Sequence, residues 1–191
     1  MDRRTSIKGL AGLTAVGFAS FSFFKWRNLN GVSDVSIIPH KKAIIAELAE
    51  MIIPRTDTPG AKDAGVENFI MDMISFCSDN KTQNNFINGL SDLEKYTFDQ
   101  YDKSFINCST VQKTEVLRHF EEKSTYSLGI LNKINNKLLG KPFFVKLKEL
   151  TVEGYCTSQL GATKGLAYDY VPGSYQSCIS LTKDQKSWAT K

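Results

Sequence analysis

An all-α fold, a small helical bundle with an extended, aromatic-rich C-terminal tail, is what this 191-residue chain predicts. Three observations carry that expectation. Apolar residues past position 40 recur at spacings of three and four, the repeat of a helix face. No stretch alternates apolar and polar residues as a half-buried strand does. Prolines and capping residues fall at the ends of the periodic runs.

The elements follow in order. Ile44, Ile45, Leu48, Met51 and Ile52 form one stripe, and Pro54 ends that helix because it lacks an N–H and clashes with the preceding turn. "RTDTPGAKDAG" reads as a loop. Val66, Phe69, Ile70, Met73 and Ile74 define a second helix, with Cys77 on its apolar face as a candidate core thiol. A third runs through Phe86, Leu90 and Leu93 to Tyr96 or Tyr101. A fourth starts near Ser109, where Ser109 and Gln112 have capping-box spacing, and buries Val116, Leu117 and Phe120. A fifth is expected over residues 126–139. A sixth opens with Pro142 in its first turn and carries Phe144, Leu147 and Leu150. Beyond Ser158 the chain turns Gly- and aromatic-rich, and "VPGS" marks a turn. That tail has too few aliphatic residues for a core of its own. It lies across the bundle or across a partner.

The chain divides into a leader at 1–28, a polar linker at 29–40 and one helical domain at 41–191. Arg3, Arg4, Lys8, Lys25 and Arg27 face only Asp2 in the first 30 residues. The 24 basic and 20 acidic residues therefore leave an even 19 and 19 beyond them. A neutral body offers no basic patch, so no nucleic-acid partner is expected.

Arg3-Arg4-Thr5-Ser6-Ile7-Lys8 is similar to a twin-arginine export signal: paired arginines, the hydrophobic Ile7, then Lys8. Residues 9–24 follow, uncharged and rich in Gly, Ala and Ser, and shorter than the roughly 20 residues a membrane-spanning helix needs. Two fates stay open. The leader is cleaved, or it is retained at the membrane interface with Trp26 and Arg27 at headgroup level.

Chemistry is sparse. Glu115, His119 and Glu122 share a helix face, a pattern that more often marks a solvated charged surface than a metal site. "GATKG" lacks the spacing of a phosphate loop, and neither a dinucleotide fingerprint nor a C-x-x-C-H motif occurs. No nucleophile motif surrounds any Ser or Cys. The expectation is no catalytic, cofactor-binding or metal-binding residue in this chain. Cys77, Cys108, Cys156 and Cys178 are spaced unlike a zinc or iron–sulfur set. In an oxidising compartment a Cys156–Cys178 bond would staple the tail. Alternatively, Cys178 reaches a partner chain.

Two blocks carry a resemblance. Residues 47–70, "ELAEMIIPRTDTPGAKDAGVENFI", resemble the gluconate 2-dehydrogenase subunit 3 family, the small subunits of membrane-associated flavin sugar dehydrogenases. So do Phe143-Phe144, Leu147-Lys148, Leu150-Thr151, Gly154-Tyr155, Thr157-Ser158, Gly161 and Val171-Pro172-Gly173 with Tyr175. Cys156 departs from the pattern, standing where an aromatic is more usual. The resemblance implies a non-catalytic accessory subunit. Its partner is a large flavoprotein dehydrogenase that carries FAD, and a cytochrome c subunit often takes the electrons. The small subunit lends its export signal, which places the complex on the periplasmic side of the inner membrane. Contact with the partner is expected from Thr56, Asp57, Pro59 and Gly60, from Tyr155, and from Tyr168, Pro172, Tyr175 and Trp188 of the tail. The rivals are a free-standing envelope redox enzyme, which a visible absorption spectrum would reveal, and an anchored scaffold without a dehydrogenase.

Overall fold

The computed structural model describes residues 29–124 and 139–171, with 136, 173, 178, 180 and 183–189. Among the described residues five α-helices carry the architecture: α1 (Lys42–Ile52), α2 (Val66–Cys77), α3 (Asn80–Tyr101), α4 (Thr110–Ser124) and α5 (Phe143–Thr157). Among the described residues there is no strand, only a single isolated bridge between Ala167 and Trp188.

The helix ends have local causes. After α1, Ile53 takes an extended conformation ahead of Pro54, which cannot continue the hydrogen-bond ladder. Asp79 caps α3, its carboxylate accepting from the Thr82 N–H at 3.0 Å. Hydrogen bonding from Thr82, from its side chain first and its backbone N–H as well, holds the Asp79 carboxyl below its usual range against the opposing effect of burial. At the start of α4 the capping box is reciprocal. The Ser109 N–H donates to the Gln112 side chain at 2.9 Å, and the Gln112 N–H donates to Ser109 Oγ at 3.4 Å.

The packing is centred on α5, which touches all four other helices. Its buried face is wide: Phe143, Phe144, Leu147, Leu150, Thr151, Gly154 and Tyr155. Around it lie Ile44, Ile45 and Leu48 of α1, Val66, Ile70 and Ile74 of α2, and Phe86, Leu90 and Leu93 of α3. Phe86 meets Phe143 edge-on at 5.2 Å between ring centres. Glu47 of α1 pairs with Lys113 of α4 at 2.6 Å and with Lys62. Burial alone would raise the Glu47 carboxyl, but the two ammonium groups outweigh it and hold the acid below its usual range.

The sequence reading needs two corrections. Residues 29–40 are not simply a polar connection: Val35–Lys41 form a 3-10 helix, and Ile38 is fully buried in the core. Cys77 is exposed although it shares a face with Val66, Ile70 and Ile74: it is the last residue of α2, and burial along that face ends one turn earlier, at Ile74. On the Glu115–His119–Glu122 face, two of the three side chains meet neighbouring aromatic residues. Glu115 accepts from the Tyr101 hydroxyl at 2.7 Å, pushing that phenol up to about 12, and His119 stacks flat on Tyr96 at 4.1 Å. The helix expected over 126–139 lies outside the described residues, apart from positions 136 and 139.

Candidate functional site

One end of the bundle gathers three segments that are far apart in sequence: the loop after α1, the turn after α5 and the returning tail. The loop spans residues 53–61 and closes on itself, the Ala61 N–H donating to the Ile53 carbonyl at 2.9 Å. Its tip is a small polar knob. The Thr56 N–H donates to the Thr58 carbonyl at 3.0 Å, and the Thr56 hydroxyl donates to Asp57 at 2.9 Å. Thr56 and Asp57 are exposed, Pro59 is half-buried, and Gly60 is buried.

Below the knob, Glu50 of α1 points its carboxylate into the loop. One oxygen accepts the Arg55 N–H and the other the Lys62 N–H, each at 2.9 Å. A Cβ on residue 60 would overlap that carboxylate, so only glycine fits. Asp63 takes the Gly60 N–H at 3.1 Å and stands 3.6 Å from the Arg55 guanidinium.

Tyr155 joins the loop to the turn. Its hydroxyl donates to the Pro59 carbonyl at 2.7 Å, bridging 96 positions of sequence. The same ring supports the π-helical turn Gly161–Gly165, where a side chain on Gly165 would strike the Tyr155 hydroxyl. Ser158 starts that turn, donating from Oγ to the Tyr155 carbonyl at 2.7 Å and accepting the Gly161 N–H at 2.9 Å. Two residues past the turn, Ala167 pairs with the tail. Its N–H donates to Ser187 and its carbonyl accepts from Ala189, both at 2.8 Å. Lys186 adds a bond to the Lys164 carbonyl at 2.7 Å.

The outcome for the expected contact residues is mixed. Thr56, Asp57, Tyr168 and Trp188 lie on the surface of this end of the molecule. Tyr155 and Gly60 do not: Tyr155 is 7% exposed and serves as an internal post, and Gly60 is covered by Glu50. Pro172 and Tyr175 lie outside the described residues, as do Arg3, Arg4, Ile7 and Lys8. Cys156 is half-buried, Cys178 is exposed, and both are free thiols. Sequence reasoning passed over Tyr170 and Val171 as contact residues; they are 85% and 72% exposed, the most open apolar residues among those described in the tail. Alternation in Tyr168-Asp169-Tyr170 was the available signal. Glu50 was missed as well, because its role depends on backbone N–H groups that only the folded loop aims at it.

Elsewhere, an open concavity of about 540 Å³ lies between the end of α4 and α5. Phe144 and Val152 line it, and a Lys148–Glu121 pair at 3.0 Å is part of its rim. Among the described residues no three His, Cys, Asp or Glu side chains are placed to hold a metal ion, and no helix is long and apolar enough to cross a membrane.

What these features define is a helical domain whose most elaborate construction is an exposed surface: a rigid polar knob beside an aromatic tail. The model of the Gluconate 2-dehydrogenase subunit 3 family matches residues 39–173. The chain belongs to that family, a family of dehydrogenase subunits by its name. No curated protein and no solved structure matches the chain.

Proposed function

We propose that this chain is the non-catalytic accessory subunit of a flavin-dependent sugar or alcohol dehydrogenase complex. It grips the large catalytic flavoprotein, which carries FAD, and supplies that partner's twin-arginine export signal. The complex then works on the periplasmic side of the inner membrane, with a cytochrome c subunit accepting the electrons. Family membership over residues 39–173 carries the reading. The surface at one end of the bundle supports it, because Tyr168, Tyr170, Val171 and Trp188 expose apolar area that isolated soluble domains usually cover.

The physical logic is that of a stable subunit interface. Tyr and Trp bring large contact area with few rotors to immobilise. A stable association of this kind buries on the order of 2,000 Å² or more. The twin-arginine route carries folded cargo, so a flavoprotein that loads its cofactor in the cytoplasm can travel attached to a small subunit bearing the address. Binding in that reducing compartment proceeds without disulfides.

Affinity isolation of the full-length chain from its native envelope tests the reading. A flavoprotein dehydrogenase subunit is expected to co-purify. Deleting this chain should strand that subunit in the cytosol. Recovery of the active dehydrogenase outside the cytosol in the deletion strain would overturn the escort role.

A further inference from the structure

We infer that Glu50 is the positioning residue of the docking surface: its carboxylate is the template on which the Thr56-Asp57-Thr58 knob forms, and through that knob it sets affinity for the dehydrogenase subunit. This inference rests on the docking reading above.

The loop has no apolar anchor between its ends. Residues 54–57 are exposed, Thr58 and Pro59 are half-buried, and the fully buried side chain is Ala61, at the closing pair. Its shape is therefore set by polar contacts. Two backbone N–H groups at the base of the loop are directed at one side chain. The Arg55 and Lys62 N–H groups find one carboxylate, one oxygen apiece at 2.9 Å. Bonds to an ionised acceptor are roughly twice as strong as neutral ones. A ring of backbone N–H groups around an anion is how proteins commonly hold a foreign phosphate or carboxylate. Here the anion is part of the chain, and it fills the space a side chain at residue 60 would take. The placement of Glu50 therefore depends on glycine at position 60.

The consequence is a separation of docking from folding. Glu50 contributes its carboxylate to the loop, whereas the core stripe of α1 consists of Ile44, Ile45, Leu48 and Ala49. Removing the carboxylate frees the Arg55 and Lys62 N–H groups at the base of the knob, loosening it, and leaves the stripe in place. A knob that must be ordered at the moment of binding costs affinity, and a preformed one does not.

The test compares Glu50→Gln and Glu50→Ala with the wild-type full-length chain. Amide proton shifts of Arg55 and Lys62 are read by NMR, and affinity is measured for the dehydrogenase subunit isolated with the wild-type chain. Glu50→Gln is nearly isosteric and keeps one acceptor oxygen, so it remains informative should Glu50→Ala fail to fold. Both variants are expected to move the two amide signals upfield and to weaken partner binding on the order of tenfold. Unmoved amide signals would overturn the templating. Moved signals with unchanged affinity would overturn the link to docking. In that second case the double variant Tyr170→Ala/Trp188→Ala locates the fault. If it weakens binding, only the role of Glu50 fails. If it does not, the docking surface itself is wrong.

Discussion

The loop at 53–61 and the tail beyond Ala167 lie at the same end of the molecule, and they are built in opposite ways. The loop is over-determined. Glu50, Asp63, Tyr155 and the Ile53 carbonyl each hold one part of it through a direct hydrogen bond. The tail, among the described residues, is tied by the Ala167 bridge and by Lys186. The loop shows polar groups in a fixed arrangement, and the described part of the tail shows aromatic area. A surface with one polar, hydrogen-bonded half and one aromatic half can combine register with contact area, since preorganisation limits ordering cost and aromatics supply burial.

Breaking the post that the two regions share has the largest expected effect. Tyr155→Ala removes a buried ring and leaves a cavity under both the loop and the turn, costing about 3–5 kcal/mol in thermal or urea unfolding. A loss below about 1 kcal/mol would show that the post is dispensable.

Next comes the ionic support of the rigid half. Lys62, in the turn that follows the loop, is paired with Glu47, which also holds Lys113, 11% exposed at its side chain. Glu47→Gln is expected to cost about 2 kcal/mol at neutral pH, because a mostly buried ammonium loses its counter-charge. The pH dependence has a definite sign. The folded carboxyl binds its proton less tightly than the unfolded one, so the unfolded chain takes up more protons in acid. The contribution of Glu47 is complete above the unfolded value of 4.5 and vanishes as pH falls through the lower folded value. Melting curves between neutral pH and pH 3 should therefore converge for wild type and Glu47→Gln. Parallel curves would contradict the pairing.

A finer cut is Tyr155→Phe, which keeps the ring and deletes only the bond to the Pro59 carbonyl. About 1 kcal/mol is expected, with faster amide exchange in the loop and little change in the tail. Equal loosening of both would mean that the hydroxyl supports the turn as much as the loop.

The smallest effect on stability belongs to the aromatic half. Tyr170→Ala with Trp188→Ala should shift unfolding by under about 0.5 kcal/mol, since both side chains face solvent. The same pair should lower recovery of the dehydrogenase subunit from the envelope. Unchanged recovery would remove the tail from the interface.

How far the sequence could be read differs between bundle and site. The stripes of α1 and α2, the Ser109–Gln112 cap and the Pro142 start of α5 were all legible, because each depends on residues within about two helical turns of one another. The burial of Ile38, the exposure of Cys77 and the inward position of Tyr155 were not. Each depends on which neighbour covers the residue. Tyr155 shows the difficulty well. An aromatic near a glycine turn has the composition of a contact residue, and only its bond to Pro59 reveals it as a support.

By itself, then, the sequence determined the class of fold, the ends of most helices and the family, since spacing, capping and ordered motif blocks are local properties of the chain. Tertiary structure alone decided which of the marked residues face outward, and that Glu50 and Tyr155 shape a surface they do not themselves present. The physical reason is that a backbone N–H or carbonyl in a tight loop pairs with whichever partner the fold brings near, and nothing along the chain says that the Pro59 carbonyl will accept from the Tyr155 hydroxyl, 96 positions away.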